Sequence, residues 1–186
     1  MLDYMLLGLL RHQPMSGYDL KQLINASIAH FWHAKISQIY RTLKKMEKKA
    51  WVTSHMEPQT GRPDRRVYTV TETGLEALEV WQQAYVTEPD EIKLSSLLKL
   101  FFMGRGVDKQ TILTQLRLWQ DMYQRQLIHF QEELPEQITT VSADMDASAK
   151  DVLFWEATRR FGERYHQMQL DWLEEVRGLV EAEVED

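Results

Sequence analysis

The sequence contains no cysteine, which excludes disulfide bonds, thiolate metal sites and thiol-based redox sensing. It also has no apolar run approaching the roughly 18 to 20 residues of a membrane span. The apolar segment at the start of the chain carries Asp3 rather than a basic stretch and precedes no small-residue cleavage site, so we expect no signal peptide. These absences predict a cytoplasmic protein without a membrane partner, whose signals arrive through a ligand, a protein partner or a change in abundance.

Sequence signatures of catalysis are also missing. There is no glycine-rich phosphate loop, no Gly-x-Ser-x-Gly elbow and no His-Glu-x-x-His motif, and the acids of the second half are spread along helix surfaces. His30 and His33 are three residues apart and could ligate a metal, but no cysteine or nearby acid completes a site. The sequence therefore predicts a protein that is not an enzyme and has neither a metal site nor a cofactor.

The net charge is negative overall but differs in sign between the two halves of the chain. The formal net charge is −6, yet residues 11–66 contain eleven Lys or Arg against four Asp or Glu. Residues 88–186 contain eleven Lys or Arg against twenty Asp or Glu. Such asymmetry suggests a basic binding module joined to an acidic module with another task. We place the division at Glu88-Pro-Asp90, which gives domains of residues 1–87 and 88–186.

Residues 35–49 have the pattern of an amphipathic helix with two chemically different faces. One face is apolar at steps of three and four residues, and we expect it in the core. It comprises Ile36, Ile39, Leu43, Met46 and Ala50. The aromatic residues Phe31 and Trp32, just before this helix, are also expected to be buried. The opposite face is polar and basic, which is typical of a helix that enters the DNA major groove.

The polar face carries groups suited to two kinds of DNA contact. An amide can pair with adenine and a guanidinium with guanine, so the residues near the start of the helix are predicted to contact base edges. They are Ser37, Gln38 and Arg41. Flexible ammonium groups farther along suit phosphates, which fix register without reading sequence. We assign phosphate contacts to Lys44, Lys45 and Lys48, and to the hydroxyl of Tyr40, whose ring can flank the core.

Two short alternating segments after this helix predict a β-hairpin. Val52, Ser54 and Met56 alternate in the first, and Tyr68 and Val70 share a face of the second. The turn between them, residues 58–64, would form a wing. Arginines at the wing or its base are predicted to contact phosphates or the minor groove. They are Arg62, Arg65 and Arg66.

Capping signals locate two further helices. Ser16 followed by Asp19 has the form of a capping box and predicts a helix from Gly17 to Ser27. Either Thr71 or Thr73 would cap the helix after the hairpin, which should run to about residue 86. Together these elements predict a mainly α chain with a small β-hairpin wing: a winged helix-turn-helix N-terminal domain followed by an α-helical dimerisation domain.

An ordered set of short segments runs through the N-terminal half. They are Ser16-Gly17-Tyr18, Phe31-Trp32, residues 38–43, Met46-Glu47, Arg62-Pro63 and residues 67–74. In this order they resemble the PadR family of transcriptional regulators. With residues 97–102, the chain most resembles the larger subgroup, whose C-terminal region is similar to the virulence-activator alpha domain. One departure is Ala50, where the family commonly has glycine. Because alanine does not suit a left-handed residue, we expect the helix before it to end differently.

The second half is read from its periodicity. Residues 90–103 are apolar on most sides, which suggests a helix buried between neighbours. From Asp108 onward, apolar residues at helical spacing run from Ile112 to Leu134, and a second series runs from Phe161 to Leu179. A polar stretch with room for one short helix separates the two series. These long helices could fold against the chain's own N-terminal domain. We favour pairing between subunits, because operators read by single winged helices are usually bound by two-fold dimers.

The resemblance implies the same assembly, since members of the family dimerise through their C-terminal helices. We assign dimerisation to the apolar faces of these helices, namely Trp119, Tyr123, Phe161, Tyr165, Met168, Trp172 and Val176. The family also often responds to small molecules, so a small aromatic or hydrophobic effector is a further possible partner. Its pocket would be lined by Trp119, Tyr123, Trp155 or Trp172, although such stripes are more often core.

These predictions combine into one function and one alternative. The chain is predicted to be a sequence-specific regulator that binds double-stranded DNA as a homodimer and represses at a palindromic operator, with possible release by the effector. The alternative is a non-enzymatic interaction module whose basic winged helix docks an acidic protein. Dependence of binding on DNA sequence separates the two, because a protein docker should not discriminate between duplexes.

Overall fold

The computed structural model describes residues 1–29, 31–58, 61, 64–91 and 93–184. The described chain is mainly helical with one small antiparallel sheet, which confirms the predicted fold class. It divides into two compact units, Met1–Tyr85 with Glu136–Phe154, and Val86–Pro135 with Trp155–Asp186. The division into domains of residues 1–87 and 88–186 stays a prediction. Within the described residues, no helix is long and apolar enough to cross a membrane.

The first unit has the element order of a winged helix. Its segment Met1–Tyr85 contains the helices α1 (Leu2–Leu10), α2 (Gly17–Ser27), α3 (Ile36–Lys48) and α4 (Glu72–Gln83), and the strands β1 (Met15–Ser16), β2 (Val52–Glu57) and β3 (Arg65–Val70). The sheet order is β1-β3-β2. The predicted hairpin pairs Val52 with Val70 and Ser54 with Tyr68. The two-residue strand β1 was not predicted, because it is too short to show a periodicity.

Side-chain caps begin two helices as the sequence indicates. The Ser16 hydroxyl accepts a hydrogen bond from the Asp19 backbone N–H at 3.2 Å, and the Asp19 carboxylate accepts one from the Ser16 N–H at 2.9 Å. This capping box starts α2 at the predicted residue. Of the two candidate caps for α4, Thr71 serves, because its hydroxyl accepts from the Gly74 N–H at 3.1 Å. The helix ends at Gln83, three residues before the predicted end.

Aliphatic side chains fill the core of the first unit. The fully buried ones are Leu6, Leu7, Leu10, Leu20, Ile24, Ile39, Leu43, Met46 and Leu78. The central residues of the predicted α3 stripe are therefore in the core, whereas Ile36 and Ala50 are exposed because they lie at the two ends of the stripe. Burial of the aromatic pair was predicted wrongly. Phe31 is 53% exposed and Trp32 is also exposed, because the helices already close the core with aliphatic residues.

The end of α3 corrects another expectation. The Trp51 N–H donates to the Met46 carbonyl at 2.9 Å, and the Ala50 N–H donates to the Glu47 carbonyl at 3.0 Å. This pair of bonds is the Schellman motif, which requires a left-handed residue between them. Ala50 adopts that conformation with φ 56°. The expectation of a different helix end was wrong, because the hydrogen bonds hold an alanine in a backbone region that favours glycine.

The remaining helices are α5 (Ser95–Phe101), α6 (Lys109–Ile128), α7 (Leu134–Asp144) and α8 (Ala149–Glu183), with a π-helical turn at His129–Glu133 between α6 and α7. In the second unit, α6 and α8 share a core around Leu116 and Leu173. The prediction of a buried helix over residues 90–103 was wrong for a single chain. Helix α5 is shorter and contributes no buried residue, and Phe101 and the adjoining Phe102 are 80% and 68% exposed.

The π-helical turn places a phenylalanine against a glycine of α8. The ring of Phe130 is fully buried, and a Cβ built at Gly162 would overlap it. The Arg159 guanidinium donates to the Phe130 carbonyl at 2.7 Å. Its hydrogen bonds with Glu156 and Glu163 raise the pKa of Arg159, so the buried cation remains charged and paired. The turn is thus tied to α8 by both packing and charge.

Candidate nucleic-acid interface

The polar face of α3 is open to solvent along its length. All seven residues predicted to contact DNA from this helix are exposed: Ser37, Gln38, Tyr40, Arg41, Lys44, Lys45 and Lys48. On the other side, Ile39, Leu43 and Met46 are buried and fix the helix to the core. The structure therefore brings the predicted base-reading and phosphate-binding groups onto one accessible surface. Their individual contacts stay predictions.

Gln38 already has a role within the free protein. Its side-chain carbonyl accepts a hydrogen bond from the Lys35 backbone N–H at 2.9 Å. Lys35 occupies the N-cap position of α3 but makes no side-chain cap of its own. Bidentate recognition of adenine uses both the oxygen and the nitrogen of the amide. To read a base in this way, the Gln38 oxygen must either accept a second hydrogen bond or give up the helix cap.

Tyr40 packs against the start of α2. A Cβ built at Gly17 would lie 2.5 Å from the Tyr40 Cε1 atom, so the absence of a side chain at Gly17 makes room for the ring. Tyr40 nevertheless stays exposed. This arrangement fits the expectation that the ring flanks the protein while part of the side chain remains accessible.

The wing arginines are engaged by acids, which charge counting did not anticipate. Arg65 Nε lies 2.8 Å from Glu57 Oε2, and its Nη1 lies 3.5 Å from Asp19 Oδ2. The hydrogen bond from Arg65 lowers the pKa of Glu57 and, in return, raises that of Arg65. The register of the hairpin would have predicted this ion pair, because Glu57 lies directly opposite Arg65 on the neighbouring strand. Arg62 lies outside the described residues.

Arg66 belongs to a second network, which reaches α3. Its Nη2 atom lies 2.8 Å from Glu47 Oε1, and its Nε donates to the Ser54 hydroxyl at 2.7 Å. The Ser54 hydroxyl in turn donates to Glu47 at 2.6 Å. The guanidinium also lies 5.6 Å from the centre of the Tyr68 ring. Burial raises the pKa of the Tyr68 hydroxyl, although Arg66 acts against the rise.

The residues predicted for dimerisation differ in whether they already pack against other residues of the same chain. Four of them pack around the core that α6 and α8 form within one chain: Trp119, Tyr123, Trp172 and Val176. Tyr165 stacks edge-on against His166, with ring centres 5.4 Å apart. Phe161 and Met168 are exposed and free to face another molecule. The assignment of all seven to a dimer interface stays a prediction, and the first four already have partners in their own chain.

The structure places the predicted effector residues in or beside packed helices. Trp119, Tyr123 and Trp172 line the core of the second unit, and Trp155 is half-buried. A groove of about 640 Å³ between α6 and α8 has a different, mostly polar lining that includes Gln120, Gln167 and Glu174. In the described part of the chain, no group of three or more His, Asp or Glu side chains could hold a metal. His30, one of the two histidines considered as ligands, is outside that part.

Comparison with known proteins identifies both halves of the chain. Residues 6–80 match the transcriptional regulator PadR-like family, and residues 92–181 match the virulence activator alpha C-terminal family. The chain is 34% identical to the negative transcriptional regulator PadR of Bacillus subtilis over 103 residues. This aligned region covers 55% of this chain and 57% of that protein. It spans about half the length of the curated relatives it matches.

Two solved structures of Bacillus subtilis PadR have the same fold over nearly the whole chain. The complex with operator DNA has a TM-score of 0.79 at 25% identity and covers 96% of this chain and 98% of that one. The complex with p-coumaric acid has a TM-score of 0.72 at 23% identity and covers 97% and 98%. These findings confirm the predicted resemblance: residues 6–80 are similar to the PadR-like family, and residues 92–181 to the virulence activator alpha C-terminal family. Members of the PadR-like family are transcriptional regulators and not enzymes.

Proposed function

We propose that this protein is a sequence-specific DNA-binding regulator that acts as a homodimer and represses at a palindromic operator. The observation that carries the proposal is the exposed basic face of α3, fixed to the core by its apolar side and followed by a β-hairpin. An α-helix with its side chains is about 10–12 Å across, so α3 fits the major groove, whose width is about 12 Å. The operator complex of the Bacillus subtilis relative supports this mode of binding.

Exposed apolar side chains of the second unit support the homodimer. Leu98, Phe101, Phe102, Phe161 and Met168 are all exposed in a single chain. Phe101 and Phe102 contact each other, and Phe161 and Met168, seven residues apart, lie on the same face of α8. Adjacent exposed apolar side chains of this kind commonly mark a protein interface. A second copy is the proposed partner, because two winged helices related by a two-fold axis read half-sites about 34 to 36 Å apart. The operator would then have matching two-fold symmetry.

We also propose a small aromatic effector that weakens operator binding. The support is the p-coumaric acid complex of the Bacillus subtilis relative, together with the tryptophans of the second unit. Titration with p-coumaric acid, followed by tryptophan fluorescence and by operator affinity, tests this point. An effector that acts as proposed lowers operator affinity, and an unchanged affinity at saturating ligand contradicts it.

Selection from random double-stranded DNA at physiological salt tests the function directly. The purified full chain is expected to enrich a two-fold symmetric site. Its stoichiometry on that site, measured by sedimentation, should be two chains per duplex. No enrichment by a folded protein would remove the proposal and favour the alternative, an interaction module that docks an acidic protein.

Substitutions on α3 separate base reading from phosphate binding. Arg41→Ala should relax specificity at particular base pairs and cost about 1–3 kcal/mol if the contact is bidentate. Lys44→Ala should weaken binding to all duplexes and lower the salt slope by about one. Lys150→Ala removes the same charge from an exposed position of α8 and serves as the control. Equal effects of the Arg41 and Lys44 variants on every sequence would contradict the division of roles.

A further inference from the structure

One carboxylate interrupts the basic face of α3. Glu47 is the only acid in this helix, with Lys44, Lys45 and Lys48 as its near neighbours in sequence. Its side chain is only 23% exposed, and it accepts hydrogen bonds from Ser54 and Arg66. A negative charge at this place opposes DNA binding, so its presence there indicates a structural or selective role.

The Glu47 network joins three elements of the winged helix. Glu47 belongs to α3, Ser54 to β2 and Arg66 to β3. Because Arg66 donates from two different nitrogens, to Ser54 and to Glu47, its guanidinium has little freedom to turn. The orientation of a wing cation is therefore set by a residue of the predicted recognition helix.

The other wing pair lacks this connection. Arg65 binds Glu57, which stands opposite it in the hairpin, and Asp19 of α2. The carboxylate of Glu57 is also more exposed than that of Glu47. Removing Glu57 leaves Arg65 with a second carboxylate, whereas Arg66 is paired to Glu47 alone among the described ion pairs.

We propose that Glu47 is a positioning residue that raises DNA specificity by holding Arg66 away from phosphates that any duplex can offer. The proposal rests on the proposed DNA-binding function. A carboxylate and a phosphate compete for the same guanidinium, since both are anions with two oxygens that can accept paired hydrogen bonds from its N–H groups. With Glu47 in place, Arg66 adds little affinity for a random duplex. Without the charge, Arg66 can take a phosphate in whichever register the domain rests on a random duplex, whereas on the operator the base contacts of α3 fix the register and with it the groups that Arg66 reaches.

The variant Glu47→Gln tests the proposal, with Glu57→Gln as the matched control. Glu47→Gln keeps the side-chain shape and removes one negative charge. It should bind random duplexes roughly three- to tenfold more tightly, with a salt slope larger by about one, while affinity for the selected operator changes less than twofold. The ratio of operator to random affinity therefore falls. Glu57→Gln changes the net charge equally and should leave this ratio unchanged. An equal fall in both variants would assign the effect to net charge and overturn the proposal.

A second variant tests whether Glu47 acts through Arg66. Arg66→Ala should change the affinity for random duplexes less than twofold, and in that background Glu47→Gln should no longer lower the specificity ratio. A persistent fall would overturn the proposal, and so would a large loss of random-duplex affinity in Arg66→Ala alone. Where Glu47→Gln does not fold, Arg66→Ala alone still tests the proposal, because a large loss of random-duplex affinity in that variant overturns it.

The two levels of failure are distinguishable. If the unmodified protein selects no DNA sequence, the proposed function fails and the role of Glu47 fails with it. If it selects an operator and Glu47→Gln retains the full specificity ratio, only the role of Glu47 is overturned.

Discussion

Replacing Ala50 by glycine should stabilise the protein. Ala50 has φ 56°, and a non-glycine residue in the left-handed region costs about 1–2 kcal/mol. Glycine removes this strain but loses more backbone entropy on folding, by roughly 0.5–1 kcal/mol. Ala50 is exposed, so loss of its methyl group removes little buried surface. The midpoints of these two ranges differ by about 0.75 kcal/mol, which is the expected net gain.

Urea unfolding of the full chain at one fixed protein concentration measures this gain. The concentration must be held constant, because assembly would add its own stabilisation. A gain of about 1 kcal/mol corresponds to a rise in Tm of about 2–4 °C for a chain of this size. Ala77→Gly, within α4, is the control and should destabilise by about 1 kcal/mol.

If Ala50→Gly is neutral or less stable than the unmodified protein while Ala77→Gly behaves as expected, strain at Ala50 does not lower the stability of the protein. That result would mean that the Schellman hydrogen bonds relieve the strain on Ala50, or that the unfolded chain gains more from glycine than the folded chain does. The Thr71 hydroxyl donates to the Ala50 carbonyl at 2.6 Å and helps to hold the turn. Its contribution is the same in both proteins and cancels in the comparison.

Two further predictions concern α8. Gly162→Ala should lower the free energy of unfolding in urea by about 1–3 kcal/mol, because the new Cβ would overlap the buried Phe130 ring. Gly178→Ala, where a Cβ meets no other atom, is the control and should not lower it. Similar urea midpoints for the two variants would contradict the packing of Phe130 against Gly162. Burial lowers the pKa of His166 from its ordinary value of 6.5. Below about pH 6.5 the unfolded chain therefore binds more protons than the folded chain. The free energy of unfolding should then fall as the pH decreases from about 6.5, by at most about 1.4 kcal/mol per pH unit. His166→Gln should flatten this decline in unfolding free energy between about pH 6.5 and 5, and an unchanged slope would exclude His166 as its source.

Local chemistry made much of the first unit predictable from the sequence. The capping box of Ser16 and Asp19 fixed the start of α2, because both of its hydrogen bonds lie within four residues. The apolar period of α3 identified Ile39, Leu43 and Met46 as core and thereby placed the polar residues on the accessible side. The order of these elements, together with the resemblance, was enough to predict the family.

Features that depend on distant residues were not predictable in this way. Whether Phe31 and Phe101 are buried depends on what packs against them, and aromatic composition alone does not supply that information. The partners of Arg66 come from positions 12 and 19 residues away, so counting its charge overstated how freely it could meet a phosphate. The π-helical turn at Phe130 gave no signal in the helical period.

The Gln38 cap has a consequence for how such a domain could be redesigned. An adenine contact that turns the Gln38 oxygen away from the Lys35 N–H loses the cap, so the net discrimination is then smaller than the base contact by the value of the cap, about 1 kcal/mol. Serine in place of Lys35 would accept a hydrogen bond from the Gln38 backbone N–H, while the Gln38 side chain keeps its bond from the N–H of residue 35, so the two would form a reciprocal capping box. That change would hold Gln38 at the helix start, so a redesign that stabilises α3 there draws the same amide away from recognition.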